Sequence, residues 1–551
     1  MSDFFQSPPV LQNPYLSDTL IQTYLKRTLP THLLMEIEPE LKQLGTRVVH
    51  EIETLGIQAE AQPPVHIPFD PWGRRIDHIK VSEAWRRLEE IAVEEKLIAI
   101  AYDRTQGEYS RIFQFSKVYL YGPSSAIYTC PLAMTDGAAR AIELYGDTQL
   151  NTQAFRHLTS SDPKEFWTAG QWMTERTGGS DVSHTSTVAK QENGLYRLYG
   201  TKWFTSATTS QIAMTLARIE GAPNGSRGLS LFYLELRDHH GHLNQIQIHR
   251  LKNKLGTHAL PTAELCLNGT PAQLIAEEGA GVKRIASLFN ITRIWNACSA
   301  IGFMRRGIAL AQDYSTKRSA FGQLLKDQPL FRQRLESLET ELWGAFFLVF
   351  RTSELLGKEE TNQASISESA LLRLLTPIIK LYTAKQAIAV SSEILECFGG
   401  AGYVEDTGLP KLLRDSQVLS IWEGTTDVLS LDCLRAIEKE HSALAFLEDT
   451  RRLLSEIHHP ELMGSVQKTL HGLAVIENTL QQSSEEKTSN LHYSARALAF
   501  TIARVYAGAL LLSHTQWEIT HSTYSPSKSH AIRWCNRDYS IQLNRPFFEN
   551  H

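Results

Sequence analysis

Cysteine is scarce in this sequence, and what there is does not pair. Cys130, Cys266, Cys298, Cys397, Cys433 and Cys535 are scattered over 551 residues with no C-x-x-C spacing. Neither a disulfide framework nor a thiolate zinc site is encoded, and a reducing, cytoplasmic setting is expected. A secretory signal needs basic residues and then an apolar run; the start, "MSDFFQSPPVLQNPYLSDTL", offers prolines and Asp3 instead. No stretch reaches the roughly 18 uncharged apolar residues of a membrane span, so no membrane association is expected. An excess of one charge sign is missing too. With 60 acidic against 55 basic residues the formal net charge is −5, which gives no general attraction to nucleic acid, and none is expected among the partners. The nearest thing to a basic patch is Arg533, Arg537 and Arg545, close to Trp534. His239, His240 and His242 share one turn-like segment, with no acidic or cysteine partner at a ligand spacing, so no metal site is expected.

What is present is an ordinary globular composition, 42% hydrophobic and 21% charged, in a chain long enough for three or four domains. From about 18 to 160 the apolar period is helical, as in "EAWRRLEEIAVEEKLIAIAYD" and "PLAMTDGAARAIELYG", the latter ending on a glycine suited to a helix C-cap. Between them, "PPVHIPFDPWGRRID" is Pro-rich and reads as irregular. From about 168 to 275 the period becomes two. "LYRLYGTKWFTSAT", "SQIAMTLARI", "GLSLFYLELR", "NQIQIHRL" and "TAELCLNG" predict an antiparallel β domain. Long helical patterns then return, suited to a bundle, and a further helical block follows from about 441, with "QQSSEEKTSN" (481–490) as a polar linker. The fold is mainly α with a central β domain. It divides into an N-terminal helical domain (1–167), the β domain (168–282), a helical bundle (283–440) and an extra C-terminal helical domain (441–551).

Several short motifs carry chemistry, each with a plainer alternative. In "QVLSIWEGTTDVLSLDCLRA" Glu423 stands among apolar residues and is followed by a glycine. It is either the outward-facing start of a helix or a base whose proton affinity is raised by its surroundings. "WMTERTGGSDV" (172–182) is a turn, or a loop whose glycines and free N–H groups admit a ligand. Trp203 and Thr205, two apart on a strand, are expected on one face; a tryptophan there is equally a core residue. "ECFGGAGY" (396–403) fits a corner between helices, and "KRSAFG" (317–322) a capping or salt-bridging arginine.

The order of these blocks is more specific than any one of them. "TERTGGSD", "KWFT", "KNKLG", "RSAFG", "FGGAGY", Arg414–Asp415 and "WEGT" follow a helical region in the sequence of the acyl-CoA dehydrogenase family, which the chain resembles from about 90 to 437. The N-terminal segments and the block after 440 resemble the longer AidB-like branch. The resemblance implies a flavoprotein carrying FAD between the β domain and the bundle, an acyl-CoA thioester as substrate, and a homo-oligomer, dimer or tetramer. It places Glu423 at the common position of the catalytic base and Gly424 where backbone nears the thioester. Thr174, Gly179, Ser180, Trp203 and Thr205 fall at flavin positions, with Ser180 and Arg293 also on the substrate side. Arg318 and Phe321 fall where the adenosine half of a neighbouring subunit's FAD is met, with Gly399 and Gly400 opposite, and Thr425 near the adenosine phosphates. Glu396, Asp427 and Asn290 depart from the common pattern. Three functions fit: an FAD-dependent dehydrogenase forming an α,β double bond, a flavoprotein that binds acyl-CoA with little turnover, or an AidB-like DNA-protective flavoprotein. Acyl chain length and electron acceptor are not legible in the residues.

Overall fold

The computed structural model describes residues 5–485 and 489–539; Asp3, Arg545 and the 486–488 part of the polar segment lie outside them. The chain forms two compact units. One comprises residues 50–104 and 121–295, the other residues up to 49, 105–120 and those from 296 onward.

In the first, the Pro-rich stretch is not irregular: β1 (Val65–Phe69) and β2 (Arg75–Lys80) form an antiparallel hairpin. The ladder tolerates its prolines because Pro68 sits at the register shift between Ile67 and Phe69, and Pro71 lies in the turn. Asp70 closes that turn by accepting from the Trp72 and Arg74 N–H groups, at 2.9 Å each.

The alternating runs form a seven-stranded sheet: β3 (Ala169–Trp172), β4 (Val188–Glu192), β5 (Leu195–Ser206), β6 (Ile212–Ile219), β7 (Leu229–Glu235), β8 (Ile246–Leu251) and β9 (Thr262–Ile275). Their order is β3-β6-β4-β5-β9-β7, with β8 on β9, and β7 pairs back with β6 so that the sheet closes on itself. It is not purely antiparallel. β6 runs parallel to both β3 and β4, because the long 173–187 loop, and not a hairpin, follows β3. Met214, Leu216, Leu229 and Leu231 are buried with Ala138, Ile142, Ile285 and Leu288, which come from the helix Thr129–Tyr145 and the start of the helix Gly281–Ser315. A Cβ on Gly137 would lie 2.7 Å from Leu288 Cγ, so only glycine admits that approach. Gly146 ends its helix as the glycine signal implied, but in an extended conformation (φ −69°).

The second unit packs the remainder of Gly281–Ser315 with helices Pro329–Glu360, Ile366–Cys397, Pro410–Leu419 and Thr426–Glu440. Ser365 and Glu368 start the third of these as a reciprocal capping box. The extra block adds Ser442–Ser455, Met463–Glu485, Ser489–His521 and Ser527–Cys535. Gln481–Glu485 continue the helix Met463–Glu485, and Ser489 and Asn490 open Ser489–His521, so those parts of the polar segment are helical and not linker. Leu491–His521 is long and apolar enough to cross a membrane, but 78% of its most apolar window is buried inside the protein, as in a core helix.

Polar contacts join the extra block to the bundle. Asp449 accepts from Tyr506 Oη and lies 3.7 Å from Arg351, while Glu341 accepts from Tyr382 Oη at 2.7 Å and from Arg537. Arg533 pairs with Glu336. Two of the three arginines that come nearest to a basic patch in the sequence are therefore held by carboxylates of the bundle. Trp534, fully buried, lies against Gly344. A Cβ added there would meet the indole at 2.1 Å. Gly344→Ala is expected to lower stability by about 1–3 kcal/mol, the range for overpacking, read as a fall in denaturation midpoint and in far-UV helicity of the block.

Candidate functional site

The residues implied by the resemblance fall into two groups, one in each compact unit.

In the sheet-bearing unit the "TERTGGSD" loop is pinned from below. Glu175, with its side chain 2% exposed, accepts from Lys202 Nζ at 2.7 Å, and Lys202, 0% exposed, also donates to the Leu216 carbonyl at 3.0 Å. Ser186 and Thr187 give the carboxylate further donors through backbone and hydroxyl. Burial pushes the Glu175 carboxyl up, but the Lys202 ammonium and these hydrogen bonds outweigh it and hold it below the usual carboxylate range. The pin leaves Thr174 half-buried beside Gly179, where a Cβ would come 3.3 Å from the threonine methyl, and leaves Gly179 and Ser180 exposed. Thr174 also accepts the Trp203 N–H on its carbonyl at 2.9 Å, tying the loop to β5. Glu175 and Lys202 are thus positioning residues that motif reading passed over. Their signal was the acid beside Thr174 and the lysine beside Trp203, two charges bordering apolar runs.

Trp203 and Thr205 do not share a face. A β-bulge sets Trp203 and Phe204 against the single residue Glu264 of β9, between the pairs Lys202–Leu265 and Thr205–Ala263, and that extra residue reverses the alternation. Lys202 and Thr205 are both fully buried, and Thr205 Oγ1 donates to the Ala263 carbonyl at 2.9 Å. Trp203 and Phe204 instead stand with Lys252, whose Nζ lies 3.7 Å and 4.5 Å from their ring centroids. Arg293 is half-buried on Gly281–Ser315.

In the helical unit Glu423 lies in the turn between Pro410–Leu419 and Thr426–Glu440, half-buried, with a left-handed backbone (φ +56°), and Gly424 follows at φ +103°. Its apolar neighbours in sequence split: Leu419 and Leu429 are buried, while Ile421 is 61% exposed. Glu423 is therefore not the start of a helix, and its surroundings are only partly apolar. Thr425 is the N-cap residue of the next helix. The departure at Asp427 has a partner in the extra block, since its carboxylate accepts from Arg496 at 3.0 Å.

At another part of this unit, Arg318 donates to Gln6 Oε1 at 3.0 Å, and Phe321 and Gly322, at φ +51° and +83°, turn the two-residue hairpin between Ser319–Ala320 and Gln323–Leu324. Phe321 is 99% exposed. Gly399 and Gly400 are exposed, and a Cβ on either would meet nothing within 4 Å. An aromatic on a strained turn, an arginine and an open pair of glycines are suited to a flat, phosphate-bearing group such as the adenosine half of FAD.

Lys202→Met is expected to destabilise the protein by about 3–5 kcal/mol, since it strands a buried carboxylate. A depressed carboxyl stabilises above its unfolded pKa, about 4.3, and that contribution is lost as pH falls through the lower folded value. Denaturation midpoints measured down to pH 3 should therefore fall more steeply in wild type than in the variant.

The acyl-CoA dehydrogenase middle-domain model matches residues 170–270 and the C-terminal-domain model residues 279–438. The model of the adaptive response protein AidB N-terminal domain matches 6–162, and the acyl-CoA dehydrogenase 11 C-terminal domain-like model 443–547. The chain is 46% identical over 527 residues to "Acyl-CoA dehydrogenase family member 11" of Caenorhabditis elegans, covering 93% of this chain and 85% of that protein. To the "Putative acyl-CoA dehydrogenase AidB" of Escherichia coli (strain K12) it is 31% identical over 417 residues, covering 74% and 75%. The crystal structure of Caenorhabditis elegans ACDH-11 in complex with C11-CoA matches with a TM-score of 0.95 at 44% identity, over 97% of this chain and 93% of that one. With both acyl-CoA dehydrogenase domains, the AidB-type N-terminal region and the further C-terminal helices in one chain, this protein belongs to the acyl-CoA dehydrogenase family, in the branch that includes ACDH-11 and AidB.

Proposed function

We propose that the protein is an FAD-dependent acyl-CoA dehydrogenase that introduces an α,β double bond into a fatty acyl-CoA thioester, with Glu423 as the base. The observation that carries this reading is the conformation of Glu423. A glutamate that bears a Cβ yet occupies the left-handed region stores strain, which folds retain chiefly where a side chain has to be aimed. Gly424 beside it leaves the backbone bare for a thioester to approach.

In this reading the Glu423 carboxylate takes the α-proton, and its own backbone N–H hydrogen-bonds the thioester carbonyl as negative charge gathers there. The electron pair of the broken α C–H bond forms the new double bond, and the β-hydrogen departs with its own pair. FAD, when bound, accepts that hydride. Thr174, Gly179, Ser180 and Trp203 would hold the flavin end, while Thr205, buried on the other face and bonded to the Ala263 carbonyl, would fix the strand that carries Trp203. Arg318, Phe321, Gly399 and Gly400 would serve the adenosine end of a cofactor held by a neighbouring copy, with Thr425 near its phosphates. Ser180, Arg293 and Gly424 would meet the thioester. That sharing makes the protein at least a dimer, and the almost complete exposure of Phe321 and Tyr403 supports it. The setting we infer is cytoplasmic.

The isolated protein should carry FAD and not FMN, identified by mass spectrometry of the released cofactor; FMN would remove the role given to Arg318, Phe321, Gly399 and Gly400. Glu423→Gln should keep FAD and thioester binding while anaerobic flavin bleaching slows by at least about a hundredfold, because the amide cannot take a proton. Bleaching at the wild-type rate would transfer the role of base to another group. A wild type that binds a panel of saturated thioesters and never bleaches would make it a binding flavoprotein.

A further inference from the structure

A left-handed backbone is disfavoured for a residue that carries a Cβ, so Glu423 needs support from outside its own turn. Two buried side chains give it, one on each side of the glutamate. Upstream, the Trp422 indole Nε1 donates to Oδ1 of Asn296, 5% exposed on the helix Gly281–Ser315. An indole N–H can only donate, so the amide oxygen must be the atom that faces it. That orientation leaves Asn296 Nδ2 buried with no hydrogen-bond partner among the described residues, which a fold does not retain without cause. Downstream, Lys380 Nζ, 0% exposed on the helix Ile366–Cys397, donates to the Gly424 carbonyl at 2.6 Å. The flanking chain is fixed by ordinary helical bonds: Ile421 and Trp422 N–H to the Val418 carbonyl, and Leu429 N–H to the Thr425 carbonyl. The two side chains therefore grip the residues immediately before and after the glutamate.

We propose that Asn296 and Lys380 are positioning residues that form a two-point clamp on the base-bearing turn, Asn296 through the Trp422 indole and Lys380 through the Gly424 carbonyl, and together keep Glu423 in its left-handed conformation with its carboxylate aimed at the reacting carbon. The clamp deepens the dehydrogenase reading and rests on it for its catalytic consequence, but not for its structural one. Neither residue touches the reacting atoms in this account. Each works by removing freedom from the turn.

The test uses full-length, FAD-loaded protein carrying Asn296→Leu, Lys380→Met or the milder Trp422→Phe. Hydrogen exchange of the amides between 421 and 426 should speed up by about tenfold or more in each variant, while exchange in the sheet does not change. Bleaching at saturating thioester should slow by about ten- to a hundredfold, as a misplaced catalytic group does, with thioester affinity within about threefold of wild type. Asn296→Leu combined with Trp422→Phe should be no slower than the worse single variant, since both break one contact. Should Asn296→Leu or Lys380→Met fail to fold, Trp422→Phe carries the decision. Wild-type exchange in the turn and a wild-type bleaching rate, found together, would overturn the clamp. A lowered melting temperature with the bleaching rate per bound FAD intact would reduce these residues to ordinary core members and overturn it as well. If Glu423→Gln bleaches normally, the choice of base fails, and the exchange measurement still decides the clamp by itself.

Discussion

The Glu175–Lys202 ion pair is the contact on which the sheet-side residues depend. Neither group has an aqueous alternative once the strands close over them, so each is committed to the other, and Lys202 donates to the Leu216 carbonyl as well. The carboxylate also gathers Ser186 and Thr187 from the far end of the loop. One buried charge therefore fixes both ends of a segment that has no regular secondary structure between Met173 and Asp181, and from there Thr174, Gly179 and Ser180 take their places. Lys380 is likewise fully buried, in the helical unit, and donates to the Gly424 backbone carbonyl.

Much of the fold is legible in the residues because burial imposes a period. The five strand-like runs from "LYRLYGTKWFTSAT" to "TAELCLNG" became β5 to β9, and the long 3.6-period stretches became helices. What escaped was structure set by contacts distant in sequence. Nothing local in "PPVHIPFDPWGRRID" announces that its prolines will fall at a register shift and a turn, where a ladder can do without their N–H groups. The parallel pairing of β6 likewise depends on where a loop carries the chain, not on the strand itself.

Of the site, the order of motifs was readable and their geometry was not. The period of two put Trp203 and Thr205 on one face, and a single inserted residue opposite Glu264 separated them. Glu423 was legible as an unusual carboxylate, but not as a left-handed one, because φ is fixed here by Asn296 and Lys380, 127 and 43 residues away in the chain. Asn296 and Lys380 belong to no motif. A polar residue in the middle of an apolar helix becomes informative only once its partner is known.

The closed sheet has a further consequence for how the protein behaves at high concentration. Because β7 pairs back with β6, only short lengths of strand end in open hydrogen-bonding edges. β3 is four residues long, and on the outer side of β8 the Ile248 N–H donates to Asp77 while its carbonyl accepts from Arg75. An edge so brief, or so occupied by charged side chains, is a poor template for another strand. The β-rich part of this chain is thereby guarded against edge-to-edge aggregation, although it is built from some of its most β-prone segments.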